Sequence, residues 1–256
     1  MQGIPKMDPS PVMLRPFGRA QDLELEFTHG NRPALVTALL DRCSDAADSD
    51  YWWDQTVGVR IAGLLRVLML TEGHELAVGA TLRCAEPQCG ETFEIELPID
   101  ILLPAQPPGD AAAAPIAISL NAGRSAVLRR PTGRDLGNWR DLHHATRREA
   151  ITAMIDALLI DGSIDPDDEP IVADAMATHD PLVAFTVDCT CPTCGTGGER
   201  HVDLEEIVLA RLSARQRALL REVHVLASRY GWPERDILGI APERRARYLK
   251  MIEEGP

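Results

Sequence analysis

The chain has 256 residues, 45% apolar and 25% charged, enough for one large domain or two small ones with ample core. Its formal net charge of −13 argues against broad nucleic-acid binding, which needs Lys and Arg to displace counterions, and suits docking on a basic protein. No charged and then apolar leader opens the sequence, and the most apolar run, Ile61–Leu70, is short and interrupted by Arg66, so a cytoplasmic location without membrane contact is expected.

Residues 1–19 are Pro-rich and aperiodic, the composition of an extended arm. Ala34–Cys43 and Val57–Leu70 place apolar residues at helical spacing, on either side of an acidic loop at 45–50. Trp52 and Trp53, beside Tyr51, read as a staple for these helices or as an exposed docking site. Cys43 lies near a helix end with Leu39 and Leu40 and reads as a small buried hydrophobe. Further on, Phe93, Ile95 and Leu97 alternate with Thr92, Glu94 and Glu96, the period of a half-buried strand. Residues 20–103 thus make a first helical half with a zinc-ribbon-like hairpin.

Residues 104–115, with Pro107-Pro108-Gly109 and a run of alanines, read as a linker. A hairpin follows, Ile116–Leu120 and Ser125–Arg130 flanking Asn121-Ala122-Gly123, and Thr132 is placed to cap the next helix. Ile151–Ile160 is helical, Asp161–Glu169 a solvated acidic loop, Ile171–Thr178 a short helix and Leu182–Val187 a strand. Residues 116–210 therefore repeat the order of the first half: helix, acidic loop, helix, strand, cysteine knuckle, strand. The expected class is α+β, with two similar helix-plus-β-hairpin halves and a helical C-terminal tail over 211–256. That tail is basic, and Gly231, Pro233 and Pro242 punctuate its helices.

The cysteines carry the chemistry. Cys84-x4-Cys89-Gly90 and Cys191-Pro192-Thr193-Cys194-Gly195 each close a turn between β-like runs. Two thiolates on a turn of two to four residues can reach one ion, and the following Gly relieves the backbone. Cys84, Cys89, Cys191 and Cys194 are therefore the expected ligands of one structural zinc. Cys189 competes with Cys191 for that role, although the flanking spacing favours Cys191. Thiol–disulfide exchange is the rival use of Cys-x-x-Cys, but it calls for a helix N-terminus in a βαβ setting. His143, His144 and His201 come without a zincin, nucleophile-elbow or phosphate-loop motif, so no reaction is expected.

The C-terminal string Leu220-Arg221-Glu222-Val223-His224-Val225-Leu226-Ala227, then Tyr230-Gly231-Trp232, Ile237-Leu238 and Arg244-Arg245-Ala246-Arg247-Tyr248-Leu249, resembles a recurrent phage-tail module. The Cys-Pro-x-Cys-Gly hairpin, the earlier Cys89-Gly90-x-x-Phe93-Glu94-Ile95 and the run Leu128–Leu136 extend the match. Together they resemble baseplate proteins of contractile phage tails and contractile injection systems, a family described in T-even-type phages as hub assembly proteins or chaperones. The resemblance spans the chain from about Ala34; its departure is the first knuckle, with four residues between cysteines where two are usual. It implies a structural or assembly role without catalysis, with baseplate, hub or spike proteins as partners. Tyr230, Trp232 and Tyr248 would be aromatic anchors of the docking tail. The rival class is a zinc-ribbon adaptor working with nucleic acids.

Overall fold

The computed structural model describes residues 12–28, 30–73, 77–103, 114–142 and 146–254. The arm before residue 12, the linker over 104–113 and the pair His143-His144 lie outside the described residues. The fold is α+β, with small antiparallel sheets and a helical C-terminal region.

The first core is built around a helix that is apolar on nearly every side, as a fully enclosed helix must be. α1 (Arg32–Arg42), α2 (Tyr51–Asp54) and this helix, α3 (Val57–Glu72), follow one another. Asn31 and Thr56 cap α1 and α3 by accepting from the N–H groups of Ala34 and Val59. The hairpin β1 (Ala77–Arg83) and β2 (Thr92–Pro98) then turns Val78, Ala80 and Leu82 inward. It leads into the short α4 (Ile99–Leu102), whose Ile99 and Leu102 are also buried.

After the linker, β3 (Ile116–Ser119) pairs with β4 (Ser125–Leu128), as the hairpin pattern predicts. α5 (Gly133–Arg140) carries the expected Thr132 cap, completed by Asp135 reaching back to the Thr132 N–H. α6 (Arg147–Leu158) ends earlier than its periodicity suggests. Leu159–Gly162 instead forms β5, which pairs with β4 through a bulge at Val127/Leu128. Gly162 makes this possible: its φ is +89°, and a Cβ there would stand 2.5 Å from the Ser125 carbonyl oxygen. The acidic loop is not simply solvated either. Asp168 is buried and takes Nη2 of Arg124 at 2.7 Å and the Asp165 N–H at 3.0 Å.

α7 (Glu169–His179) covers β3, and Ile116, Ile118, Leu128, Leu158 and Val172 form a second, smaller core. The chain then returns to the first. Leu182 is buried there in a turn rather than in a strand, and the strand begins later, as β6 (Thr186–Thr190) paired with β7 (Gly197–His201). α8 (Leu204–Tyr230) starts at its Asp203 cap, so the expected tail boundary at 210/211 falls inside one continuous helix. Its early residues Leu204, Val208, Leu209 and Leu212 join the first core. That core is therefore made from residues 17–102 and 182–212 together, with the second core inserted between. A lone two-stranded hairpin has no core of its own, so β6–β7 borrows one.

The end of the N-terminal segment is bound to this body rather than loose. Leu14 bridges Ser44, and Phe17 is buried. Asp22, fully buried, accepts both Arg15 guanidinium nitrogens (2.8 and 2.7 Å) and the N–H groups of Gly18 and Arg19 (2.8 Å each). Burial opposes ionisation of Asp22, but Arg15 and these N–H groups outweigh it and hold its pKa below the usual carboxylate value. Its contribution is then present above about pH 4 and fades as the pH falls through the lowered pKa. Asp22→Asn should cost about 2 kcal/mol at neutral pH. In urea melts the gap to the wild type should shrink by pH 3; a gap independent of pH would contradict this account.

Candidate metal centre

Both hairpins lay one face on the first core and bring their tips together. Phe93 and Ile95 of β2, and Val187 and Cys189 of β6, pack against that core. Beyond the strand ends, Cys84, Cys89, Cys191 and Cys194 place all four sulfurs within 4.8 Å of one another. Two contacts cross between hairpins: Cys84 Sγ to Cys194 Sγ is 3.5 Å, and Cys89 Sγ to Cys191 Sγ is 3.9 Å. All four are reduced, at separations far beyond the ~2.05 Å of a disulfide. A tetrahedron of sulfurs at ~2.3 Å from a central ion has edges of about 3.8 Å, and these separations bracket that value.

Each knuckle is shaped by its own backbone. In the first, the Glu86 carbonyl accepts from the N–H groups of both Cys89 and Gly90, each at 3.0 Å. This turn absorbs the longer Cys84-x4-Cys89 spacing, so both sulfurs still reach the cluster. The Glu86 N–H points at Cys84 Sγ, 3.4 Å away. In the second, the Gly195 N–H donates to the Cys191 carbonyl and the Cys191 N–H to Thr196, each at 3.0 Å. Gly90 and Gly195, the residues just after each second cysteine, have φ of +58° and +74°. That left-handed step, read from the sequence, is where each chain leaves the knuckle.

The sulfurs differ in their protons. The Glu86 N–H favours the Cys84 thiolate, yet burial and the other three thiols prevail and push its pKa up to about 12. The Thr196 side chain and backbone, helped by Cys84 and Cys89, pull Cys194 down to about 6. Four sulfurs this close resist ionising together unless a cation sits among them. The arrangement is a four-cysteine cluster able to hold a metal ion.

Cys189 is not part of it. Its Sγ turns to the Gly198 carbonyl, 3.9 Å away, and it packs on the first core. Cys189→Ser should therefore leave the metal content unchanged, as metal analysis of the purified variant will show. Cys43 is fully buried, and burial pushes its thiol up to about 12, which fits an inert core residue. His201 is exposed on β7 and belongs to no ligand cluster among the described residues.

Of the tryptophan pair, Trp52 is internal and Trp53 half-buried. Trp52 is buried and donates from Nε1 to Ser44 Oγ at 3.0 Å. Trp53 lies against Gly137 of α5 and under the Arg60 guanidinium, 5.6 Å from its ring centre. Arg60 went unnoticed in the sequence. It is wholly buried, donating to Thr37 Oγ1 (2.9 Å) and to the carbonyls of Trp52 (2.5 Å) and Pro33 (2.8 Å).

In the C-terminal region, α9 (Glu234–Leu238) and α10 (Pro242–Glu254) fold back on α8 around Val223, Leu226 and Ile237. Tyr230 and Trp232 stack at 4.6 Å, and Tyr248 meets Trp232 edge-on at 5.1 Å. The trio pins α10 to α8, leaving only Tyr230 exposed. Arg245 is buried, bound to Glu222 at 2.9 Å and to the Ile240 carbonyl at 2.6 Å. Arg217, Arg221, Arg229, Arg244 and Arg247 remain exposed. Among the described residues, no helix is long and apolar enough to cross a membrane. Comparison of the chain with protein-family models, with curated proteins and with solved structures finds no match.

Proposed function

We propose that this chain is a structural or assembly component of the baseplate of a contractile, phage-tail-like particle, acting by docking on other proteins and catalysing no reaction. The observation that carries the reading is the C-terminal string Leu220–Leu249, whose tail-module resemblance coincides with one folded unit, α8–α9–α10. Its exposed arginines, on an otherwise acidic chain, are suited to acidic surfaces of hub or spike proteins. Assembly would take place in the cytoplasm. Deleting the gene should leave sheath and tube unassembled, or assembled without a working baseplate, in electron micrographs. Normal contractile particles from the deletion strain would defeat the proposal, and salt-sensitive DNA or RNA binding by the purified chain would favour the adaptor reading instead.

Within that role the four-cysteine cluster is assigned one Zn(II), held by Cys84, Cys89, Cys191 and Cys194 as a closed structural site with no open position for substrate. The ion would clamp β1–β2 to β6–β7, joining two stretches of chain far apart in sequence. Metal analysis of protein purified under reducing conditions should return about one zinc per chain. Iron in its place, or no bound metal, would overturn the assignment.

A further inference from the structure

The long helix α8 buries one side and leaves the other to solvent. Leu204, Val208, Leu212, Leu219, Val223 and Leu226 are buried along its inner side. Opposite them, Ala210, Ala214, Arg217, Arg221, His224 and Ser228 are all exposed. Steps of four and three residues alternate through this set, so the six form one stripe along the helix, about 27 Å long. That is the spacing at which a second helix can lie along the first. Leu220 and Val225 flank the stripe and are 43% and 36% exposed, which adds apolar area to it.

Shape and charge both narrow what can lie there. Grooves of about 420 and 320 Å³ flank the start of the stripe, one against Gly79 and Thr81 of β1, the other against Phe27 and Leu35. Ala210 lines both, so the stripe is a low ridge at this end, and a helix laid over Ala210 and Ala214 can approach closely with its side chains in the grooves. Further along the charge is one-sided. From Ile207 to Tyr230 the helix has five arginines and a single acid, Glu222. Glu222 lies off the stripe, held by Arg215 at 3.3 Å and by buried Arg245 at 2.9 Å. Arg217 and Arg221 therefore have no free carboxylate beside them on α8. A second copy of α8 would set arginine against arginine, and the net charge of −13 repels a second chain as well as nucleic acid. A helix with carboxylates on its contact face fits both the ridge and the charge.

We propose that the outer stripe of α8 docks an acidic amphipathic helix of a partner protein, seated on Ala210 and Ala214 with its carboxylates against Arg217 and Arg221. The inference rests on the docking role proposed above and gives that role a partner class. The probe is a fluorescein-labelled peptide of Ala, Leu and Glu, about 21 residues long so that it can be helical, with Leu and Glu along one face. Titrated with the full chain, its fluorescence anisotropy should rise saturably, although both molecules carry net negative charge. Arg217→Ala combined with Arg221→Ala should weaken binding about tenfold. Ala214→Gln alters no charge but raises the ridge, and should weaken binding several-fold. All three positions are exposed, so an unchanged thermal midpoint will confirm that each variant is folded. The proposal is overturned if the peptide does not bind, if the same peptide interrupted by two central prolines binds as well, or if Ala214→Gln binds undiminished. Tighter binding of an oligothymidylate, or self-association of the chain through this stripe in sedimentation, would overturn it in favour of those occupants. The deletion strain answers separately: defective particles without peptide binding would keep the assembly role and remove this face from it, whereas peptide binding with normal particles would do the reverse.

Discussion

On the proposed assignment of one zinc to the cysteine cluster, Cys191→Ser is expected to take the metal content from about one ion per chain to near zero and to cost about 4 kcal/mol or more in stability. The magnitude follows from where the clamp sits. Cys89 and Cys191 are 102 positions apart, so an ion holding both closes a long loop. Chain-entropy reasoning values closure of a loop of ~100 residues at about 4.7 kcal/mol, and metal–ligand bonding adds to it. A serine hydroxyl does not ionise near neutral pH and cannot replace the thiolate. Urea unfolding paired with metal analysis decides the matter, with Cys189→Ser as the matched control. A strong chelator should lower wild-type stability towards that of Cys191→Ser and leave the variant unmoved. Equal stability of variant and wild type would mean that the sulfurs merely touch.

Arg60→Ala should be nearly as damaging, at about 3–5 kcal/mol. The guanidinium is the hub at which α1, α2, α3 and the start of α5 meet. Truncating it takes a donor from the Trp52 and Pro33 carbonyls and from the Thr37 hydroxyl, the last two keeping their own 3.0 Å bond to each other, and leaves a void. Burial lowers the Arg60 pKa to about 10, with Glu205 and Asp41 pulling it back, so the group remains charged at pH 7. Gly133 supplies a sharper test. A Cβ there would stand 2.0 Å from Arg60 Nη1, and the arginine, fixed by its hydrogen bonds, has nowhere to go. Gly133→Ala alone should cost about 3 kcal/mol by overpacking. In the Arg60→Ala background the same change should be nearly neutral, because the clashing atom is gone. Simple addition of the two costs in chemical denaturation would refute the direct contact.

Legibility in the sequence tracked how local each determinant is. α1 and α3 are plain from their spacing, and the knuckles from a glycine placed just after each second cysteine, where the left-handed step occurs. Arg60 was hidden because it and Arg66 interrupt the helical run Val57–Leu70 in the same way. Only the carbonyls gathered by tertiary packing make the first a buried hub, while Arg66 is exposed. β5 was missed because Leu159 and Ile160 continue the apolar pattern of α6. Pairing with β4 and the backbone demand at Gly162 override that pattern. Tyr230, Trp232 and Tyr248 look like anchors in one dimension, yet in three their rings meet one another, and Trp232 and Tyr248 pack on the small core around Leu226. The sharing of the first core between distant segments was the least legible feature, since no local pattern encodes it.

The interrupted first core also sets a timetable for biosynthesis. Cys84 and Cys89 leave the ribosome about a hundred residues before Cys191 and Cys194, and at ~5–20 residues per second that is roughly 5–20 s. During that interval α3 has emerged without the start of α8, which later packs against it, and two thiols wait without their counterparts. The smaller inserted core, with Ile116 to Val172 close together in the chain, can form on its own schedule meanwhile. A nascent chain stalled between the two knuckles would thus present a finished insert beside an unfinished, oxidisable body. Slow translation or an oxidant pulse in that window should therefore damage the protein far more than the same insult after release.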